Sequence, residues 1–333
     1  MPADPLITLV TGASGFIGRH LAAKLAASGV RVRGVSRSVP PGGVAGVAEW
    51  TVIERIGPDT DWTEALRGVT TVVHLAALAH QTDPRLQPGE NEFMAVNAGG
   101  TRRLAAAARD AGARRFIFVS SIGAVAESSD TLIDEAALPA PVSPYGRSKL
   151  AAEVAVREVF RGTVVEWCVL RPVLVYGPGN PGNMARLLRL VRTGLPLPLG
   201  GIRNRRSFVF VGNLVEAITQ LVAAPDLSGR VFHVADDTIV STPELIALIA
   251  LAANRRARLW PAPRWALRFA AHCGDLAGGL GLRTGLDRYS LLRLEQSLTV
   301  SNQALRRATG WRPSRTLLEG LRITLRAEGE KNH

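Results

Sequence analysis

A glycine turn between a strand and a helix near the start of the chain restricts the possible folds more than any other feature. Residues 6–12 form an apolar, β-rich run, and Gly12, Gly15 and Gly18 follow at intervals of three before an amphipathic helical pattern begins. In this context the glycines let the backbone approach a pyrophosphate, and the helix N-terminus favours its negative charge. We therefore predict a dinucleotide-binding βα unit here. The alternative is a tight turn that binds no ligand.

The end of the second predicted strand indicates which nicotinamide cofactor the chain would use. Ser36 and Arg37 stand at this position. An NAD site places an acidic residue there for the ribose 2′-hydroxyl, whereas a 2′-phosphate suits arginine. We predict that NADP(H) is preferred, with NAD(H) as the alternative cofactor. Arg37 as a solvated loop residue is the other interpretation.

Strand and helix patterns alternate through the first half of the chain. The alternation predicts an α/β fold with a doubly wound parallel sheet, a Rossmann domain over residues 1–172. Proline and glycine then punctuate the chain, and the elements become shorter and mixed. We assign a smaller mixed α/β substrate-binding lobe to residues 173–206 and 235–333. The strand patterns between these segments are expected to return to the main sheet, so that residues 207–234 complete the first domain.

Tyr145 and Lys149 stand four residues apart at the front of a predicted long helix, which places both side chains on one face. A fixed cation favours phenolate over phenol and moves the pKa of a tyrosine down from its usual value of about 10. Tyr145 is therefore a candidate acid or base, against the alternative of two surface residues.

Ser120 and Ser121 end a predicted strand at the carboxyl edge of the sheet, where open α/β folds bind ligands. Capping of the next element is the alternative role for these serines.

The net charge of +12 raises the question of a nucleic-acid partner. The arginines are scattered without a basic block interleaved with aromatics, so we predict no nucleic-acid partner; a basic balance also suits an anionic small substrate. No apolar run reaches the length of a membrane span, and the N-terminus lacks a signal-peptide pattern. We predict a cytoplasmic protein with no membrane span and no metal site, in which Cys168 and Cys273 are buried thiols.

Short motifs are spread over nearly the whole chain: Thr11–Gly18, His74–Ala77, Asn97, Ser120–Ser121, Tyr145 with Lys149, Leu170–Pro172, Tyr176–Gly179, Arg206 and Gly310–Trp311. Together they resemble the extended short-chain dehydrogenase/reductase superfamily, in its NAD-dependent epimerase/dehydratase group that acts on nucleotide sugars. Three segments are similar to the bacterial UDP-4-keto-6-deoxy-N-acetylhexosamine 4-reductases that form UDP-N-acetylquinovosamine: Pro144–Lys149, Leu195–Gly200 and Ser241–Leu245.

The resemblance implies roles for three catalytic residues. Ser121 would hydrogen-bond the reacting oxygen, Tyr145 would transfer its proton, and Lys149 would bind the nicotinamide ribose while lowering the tyrosine pKa. The cofactor-binding set is then Gly12, Ser14, Gly15, Phe16, Ile17, Gly18, Ser36, Arg37, Leu75, Ala76, Ala77, Asn97, Ser120, Tyr145 and Lys149. The set that would hold the nucleotide-sugar substrate is Asn183, Leu199, Arg206 and Arg293, and a surface salt bridge is the alternative role of Arg293. The family's habit also implies a homodimer through the helix that carries Tyr145 and its neighbour.

Three departures from the family pattern narrow the function. Arg37 replaces the acid that NAD-retaining epimerases commonly keep, and the segment after Ser121 lacks the Asp-Glu pair of sugar 4,6-dehydratases. The acid usually found after the third strand is also missing, which leaves the adenine contacts open.

We expect NADPH-dependent reduction of the 4-keto group of a UDP-linked 4-keto-6-deoxy sugar, with Tyr145 as proton donor. The alternatives are a UDP-hexose 4-epimerase for UDP-GlcNAc or UDP-Glc with tightly bound NAD and, in another class, a non-catalytic NADP-sensing protein.

Overall fold

The computed structural model describes residues 6–79, 88–279 and 288–330. Its strands are β1 (Ile7–Thr11), β2 (Arg31–Ser36), β3 (Glu49–Val52), β4 (Val69–His74), β5 (Arg115–Val119), β6 (Leu132–Ile133), β7 (Glu166–Pro172), β8 (Leu174–Tyr176), β9 (Arg206–Phe210), β10 (Arg230–Val234), β11 (Ile239–Val240) and β12 (Thr299–Val300). Its α-helices are α1 (Phe16–Ala27), α2 (Thr63–Leu66), α3 (Glu90–Phe93), α4 (Gly100–Asp110), α5 (Pro144–Phe160), α6 (Asn183–Arg192), α7 (Val211–Ala223), α8 (Thr242–Ala252), α9 (Arg264–Gly279), α10 (Arg288–Glu295), α11 (Gln303–Thr309) and α12 (Leu317–Glu330). A π-helical turn (Met94–Gly99) joins α3 to α4, and a 3-10 turn (Ile122–Ala124) follows β5.

A seven-stranded sheet forms the centre of the fold, in the order β10-β7-β5-β4-β1-β2-β3. Every neighbouring pair in it is parallel. The strand order proceeds outwards from β1 in both directions, which confirms the predicted doubly wound parallel sheet. The carboxyl ends of β1, β2, β4 and β5 therefore meet at one edge.

The core lies on both faces of this sheet, because successive residues of a strand point to opposite sides. Leu9 packs in the cluster that includes α4 and α5, whereas Val10 packs in the cluster that includes α1 and α7. Phe118 and Ile117 of β5 divide in the same way. Burial on both faces explains why these strands are continuous apolar runs in the sequence.

Only one of the two strands expected to return to the main sheet does so. β10 pairs with β7, as predicted. For β9 the prediction is wrong, because this strand lies between β8 and β11 in a three-stranded sheet. Both of its edges are hydrogen-bonded there, so it has no edge left to add to the main sheet. The division of the chain into two lobes stays a prediction.

Among the residues that the structure describes, no helix is long and apolar enough to cross a bilayer. Cys168 is buried, as the sequence predicts. The same prediction is wrong for Cys273, which is exposed. It stands on α9 away from the buried side chains of Leu267 and Ala271.

Candidate active site

The start of α5 brings Tyr145 against the turn that follows β5. Ser143 caps the helix, since its Oγ accepts a hydrogen bond from the Gly146 amide at 3.1 Å, and Pro144 suits the first helical turn. Gly146 lets the two segments approach, because a Cβ there would lie 2.3 Å from the carbonyl oxygen of Gly123. The helix therefore begins directly beside the 3-10 turn.

The Ser121 hydroxyl and the Tyr145 phenol are in hydrogen-bond contact at this point. Ser121 also caps the 3-10 turn, as its Oγ accepts from the Gly123 amide at 3.1 Å. The ring of Tyr145 packs edge-on against Phe93, with 6.2 Å between the ring centroids. Burial raises the pKa of Tyr145 to about 12, and the hydrogen bond with Ser121 opposes that shift. The phenol therefore keeps its proton at neutral pH and can donate it to an oxyanion.

Lys149 lies one turn further along the same face of α5. Its side chain is buried, and Nζ donates a hydrogen bond to the carbonyl oxygen of Val119 at 2.8 Å. The ammonium is also 4.3 Å from the centroid of the Phe118 ring, within the range of a cation–π contact. Burial lowers the pKa of Lys149 to about 7, and the charge of Glu153 opposes that shift.

The prediction that Lys149 lowers the pKa of Tyr145 is wrong in this structure. The ammonium is directed to the end of β5, and burial raises the pKa of the phenol. A spacing of four residues places two side chains on one helix face, but it does not decide which atoms they contact. The structure nonetheless brings Tyr145, Lys149 and Ser121 together at the carboxyl edge of the sheet. Their catalytic roles stay predictions.

A buried ion pair that the sequence analysis missed lies next to these residues. Arg171, in β7, donates from Nε to both carboxylate oxygens of Glu153, at 3.0 and 3.2 Å. Ser120, from the predicted cofactor set, donates to the same carboxylate at 2.5 Å, and all three side chains are buried. Glu153 follows Lys149 by four residues, and that spacing is the one sequence signal that could have revealed it.

The glycine turn has the shape that a pyrophosphate requires. No side chain caps α1, whose N-cap residue is Gly15. A Cβ at Gly18 would lie 2.1 Å from the carbonyl oxygen of Gly12, so only glycine lets the helix pack this closely against the turn. An uncapped helix N-terminus behind such a turn favours an anion, and the residues present therefore fit a dinucleotide. The same turn carries three further members of the predicted cofactor set, Ser14, Phe16 and Ile17.

Thr11 connects this turn to the segment after β4. Its Oγ1 accepts hydrogen bonds from the amides of Leu75 and Ala76, at 3.2 and 3.1 Å. The hydroxyl proton is therefore directed to Nδ1 of His74, 2.7 Å away. This assigns the imidazole proton to Nε2, which lies 2.9 Å from the Thr101 hydroxyl. Burial lowers the pKa of His74 to about 3, so the ring is a neutral packing group at the strand end.

Ser36 and Arg37 stand at the end of β2, beside the glycine turn. The Gly12 amide donates to the carbonyl oxygen of Val35 at 3.0 Å, which joins the turn to this strand. Ser36 is buried, and its hydroxyl donates to the carbonyl oxygen of Ser38 at 2.6 Å. Arg37 is exposed. A guanidinium at this position is accessible to an anion close to the turn.

Asn97 links the segment after β4 to α5. Within the π-helical turn its side chain accepts from the Leu78 amide at 2.7 Å and donates to the Leu78 carbonyl oxygen at 2.9 Å. It also donates to the Ser148 hydroxyl at 2.9 Å. π-Helical turns are frequent at functional sites. Asn97 is thus placed to fix the backbone next to Ala77, which is exposed, whereas direct contact of either residue with a cofactor stays a prediction.

The structure brings two of the four predicted substrate residues together. Arg206, at the start of β9, donates to the backbone carbonyl oxygen of Arg293 in α10. Burial lowers the pKa of Arg206 to about 10, and the charge of Arg293 lowers it as well. Within the described part of the chain, the buried Nε of Arg206 has no hydrogen-bond partner. Two neighbouring guanidinium groups, one of them largely desolvated, favour an anion.

The other two predicted substrate residues lie on different elements. Asn183 is exposed at the first position of α6. Leu199 is buried in the core, and its backbone forms a bridge to Pro261. Any contact of Leu199 with a substrate would therefore come from its backbone.

Comparison with known proteins extends these observations. Residues 8–235 match the model of the NAD dependent epimerase/dehydratase family. A UDP-glucose 4-epimerase of Vibrio cholerae is 34% identical over 338 residues, which cover 99% of this chain and 97% of that protein. A 4-hydroxy-2-methyl-3-oxo-4-farnesyl-3,4-dihydroquinoline-1-oxide ketoreductase of Stigmatella aurantiaca is 28% identical over 94% of each chain. The solved structure of MoeE5 in complex with UDP-glucuronic acid and NAD superposes with a TM-score of 0.75 and 27% identity, over 97% of this chain and 99% of that one.

Proposed function

The chain belongs to the NAD-dependent epimerase/dehydratase family, and on that premise we propose that it uses NADPH to reduce the 4-keto group of a UDP-linked 4-keto-6-deoxy sugar. The contact between Ser121 and Tyr145 carries this proposal. A phenol with a pKa raised to about 12 holds its proton until a strongly basic oxygen forms beside it. Reduction of a ketone generates such an alkoxide, whereas oxidation of an alcohol first requires a base.

The protein contributes positioning and proton transfer to this reaction. Ser121 and Tyr145 would bind the sugar carbonyl oxygen from two hydroxyl groups and stabilise the charge that develops on it. Bound NADPH would supply the hydride. Tyr145 gives its proton to the alkoxide, which leaves a phenolate. Lys149, whose Nζ donates to the Val119 carbonyl oxygen at 2.8 Å, would bind the nicotinamide ribose.

The proposed preference for NADPH rests on the residues at the end of β2. An acidic side chain is absent there, and the exposed Arg37 is available for a 2′-phosphate. The uncapped N-terminus of α1 and the turn at Gly15 would hold the pyrophosphate.

A nucleoside diphosphate suits the arginine pair in the second part of the chain. Arg206 and Arg293 carry charges of the same sign close together, and burial adds to the cost of charging Arg206. A diphosphate would offset both effects, because each guanidinium can form charge-assisted hydrogen bonds with it. The sugar attached to such a diphosphate is the substrate class that we propose.

We also propose a homodimer through α4 and α5. These helices border a shallow groove of about 510 Å³, lined by Met94, Ala98, Gly99, Arg102, Pro141, Arg147, Leu150, Ala151, Val154 and Ala155. Val154 is 41% exposed and Met94 is 38% exposed, so apolar side chains remain to be covered. Two-fold packing of this face against itself would cover them.

The second candidate function is a UDP-hexose 4-epimerase with tightly bound NAD. The similarity to the Vibrio cholerae UDP-glucose 4-epimerase, at 34% identity over nearly the full length of both chains, favours it. Such an enzyme would use Ser121, Tyr145 and Lys149 but return the hydride to the opposite face of C4. Tyr145 would then need to act first as a base.

A single set of assays separates these candidates. Purified protein is denatured to identify any retained nucleotide, and fresh protein is incubated with UDP-linked 4-keto-6-deoxy and 4-hydroxy sugars while NADPH absorbance and product mass are followed. Reductase activity consumes one NADPH for each 4-keto sugar, with a mass gain of two hydrogens. Retained NAD with interconversion of UDP-GlcNAc and UDP-GalNAc, and no use of added NADPH, would establish the epimerase instead. NADPH binding without turnover of any sugar would indicate the non-catalytic sensor.

A further inference from the structure

Helix α9 presents its large aromatic side chains to solvent. Leu267 and Ala271 face the core, with 4% and 0% of their surface exposed. Trp265 and Phe269 lie on the opposite side of the helix, with 72% and 66% exposed. His272 continues the same exposed face one turn later. One apolar face of the helix therefore packs on the protein. A second face, which carries Trp265 and Phe269, is exposed to solvent.

Basic side chains flank this aromatic face. Arg264 and Arg268 are exposed along one side of it, and Asp275 is the single acid between positions 264 and 275. Arg264 lies 3.4 Å from Glu295, while Asp275 lies 3.4 Å from Arg288. In the part of the chain that the structure describes, these two acids are each matched by an arginine, and Arg268 adds a further positive charge to the helix.

The segment that leads into α9 has the same character, so residues 255–269 form a basic block interleaved with aromatics, and the expectation that the arginines are only scattered is wrong here. It carries three exposed arginines and a half-exposed tryptophan, namely Arg255, Arg256, Arg258 and Trp260. The whole chain has a net charge of +12. Exposed tryptophan and phenylalanine beside arginines are typical of helices that lie in the interface of an anionic bilayer. In such helices the aromatic rings enter the headgroup region and the cations contact lipid phosphates.

We propose that α9 docks this protein on the surface of a membrane that contains anionic lipids. Trp265 and Phe269 insert at the headgroup level, and Arg264 and Arg268 contact the lipid phosphates. The contact is peripheral, in agreement with the finding that no described helix could span a bilayer. Docking does not depend on which sugar the enzyme reduces.

A second copy of the chain fits this face less well than a membrane. In a two-fold contact through α9, the arginines of one protomer would approach those of the other, and like charges disfavour that arrangement. The exposed aromatic residues Trp265 and Phe269 also lie on one helix, and a deformable headgroup layer can surround such a narrow surface.

The experiment uses the full chain and two kinds of vesicle, one of phosphatidylcholine alone and one with about one third phosphatidylglycerol. Binding is measured by flotation. A polarity-sensitive fluorophore on Cys273 reports insertion, because that thiol is exposed whereas Cys168 is buried. We expect binding to the anionic vesicles, a blue shift of the probe, and weaker binding at high salt.

Substitutions then assign the binding to α9. We expect W265A/F269A to lose at least about tenfold in affinity for the anionic vesicles, and R264Q/R268Q to lose about fivefold or more. The matched controls are L138A, at a leucine that is 89% exposed, and R109Q, at an exposed arginine of α4; both should bind as the unchanged protein does. Circular dichroism and the urea unfolding midpoint verify that each variant is folded.

Three results would overturn the proposal. The first is absence of binding to anionic vesicles. The second is equal binding by W265A/F269A and the unchanged protein, or an equal loss in L138A. The third is a dimer in solution that W265A/F269A dissociates, since α9 would then contact a second copy of the chain.

Discussion

The Glu153 carboxylate and the Arg171 guanidinium form a two-point ion pair in the protein interior, with Nε 3.0 Å from Oε1 and Nη2 2.5 Å from Oε2. Only 2% of the Glu153 side chain and 6% of the Arg171 side chain are exposed. Because Ser120 also donates to the carboxylate, the pair joins the ends of β5 and β7 to α5. The helix that carries Tyr145 and Lys149 is therefore held to the sheet by buried charge as well as by apolar packing.

Removal of one member of this pair should be strongly destabilising. R171M leaves the Glu153 carboxylate buried without its counter-charge, and we expect a loss of about 3–5 kcal/mol in the free energy of unfolding. The double variant E153L/R171M should lose less than R171M, because no uncompensated charge remains. R102M, which breaks an exposed pair with Glu158, is the control and should cost at most about 1 kcal/mol. Urea unfolding measures these three variants and E153L, and simple additivity of E153L and R171M would contradict the coupling.

Substitution of Tyr145 by phenylalanine tests its role as proton donor. Y145F keeps the ring contact with Phe93 and removes the hydroxyl that contacts Ser121. We expect kcat to fall by about 10²–10⁴-fold, with nucleotide-sugar affinity nearly unchanged. Y176F removes a buried hydroxyl that donates to the Leu317 carbonyl oxygen, away from the proposed chemistry, and should retain turnover. Stopped-flow and equilibrium binding assays compare the two variants, and normal turnover in Y145F would remove Tyr145 from the mechanism.

The sequence predicts the main sheet well because its signals are local. A strand, a glycine turn and a helix occur in succession, and strands buried on both faces are continuous apolar runs. The placement of β9 between β8 and β11 depends on pairing between distant segments. No local pattern distinguishes a strand that joins one sheet from a strand that joins another.

The candidate site shows the same limit at the level of side chains. The sequence predicts that Tyr145 and Lys149 share a helix face, and they do. It cannot predict that Lys149 donates to Val119 or that Arg171 pairs with Glu153, because both contacts depend on how α5 packs on the sheet. The pKa of a buried group follows from such tertiary contacts, which is why its direction for Tyr145 differs from the prediction.

The pH dependence of stability tests the burial of Lys149. Its pKa is lowered from 10.5 to about 7 in the folded protein, so between these values the unfolded state binds more protons than the folded state. Below that window the full cost of burying the charged ammonium is present. This cost decreases as pH rises across the window, so the stability of the folded protein increases there. We expect the unfolding free energy of the unchanged protein to rise relative to that of K149M by up to about 1.4 kcal/mol per pH unit.

Urea unfolding across the same pH window provides the measurement for Lys149. K24M removes an exposed lysine from α1 and controls for the loss of one positive charge. A difference between the unchanged protein and K149M that stays constant with pH would show that the Lys149 ammonium is not desolvated.

Substitution of Arg37 tests the choice of cofactor. R37A removes the exposed guanidinium at the end of β2, and we expect the ratio of kcat/KM for NADPH to that for NADH to fall by roughly tenfold to a hundredfold. The control is R31A, at an exposed arginine that begins the same strand and lies 3.7 Å from Glu49. It should leave the ratio unchanged. A ratio that is unaltered in R37A would refute the inference that this arginine selects NADPH.

The proposed dimer predicts different effects at two exposed valines. Val154 lies on α5 in the groove lined by Arg102 and Arg147, whereas Val164 is fully exposed beyond the end of that helix. V154R would replace an apolar side chain of the proposed contact by a charge that two-fold packing would bury, and we expect it to be a monomer. V164R adds the same charge outside the groove and should remain dimeric. Sedimentation velocity distinguishes these states, and a V154R variant that still dimerises would locate the interface on another face.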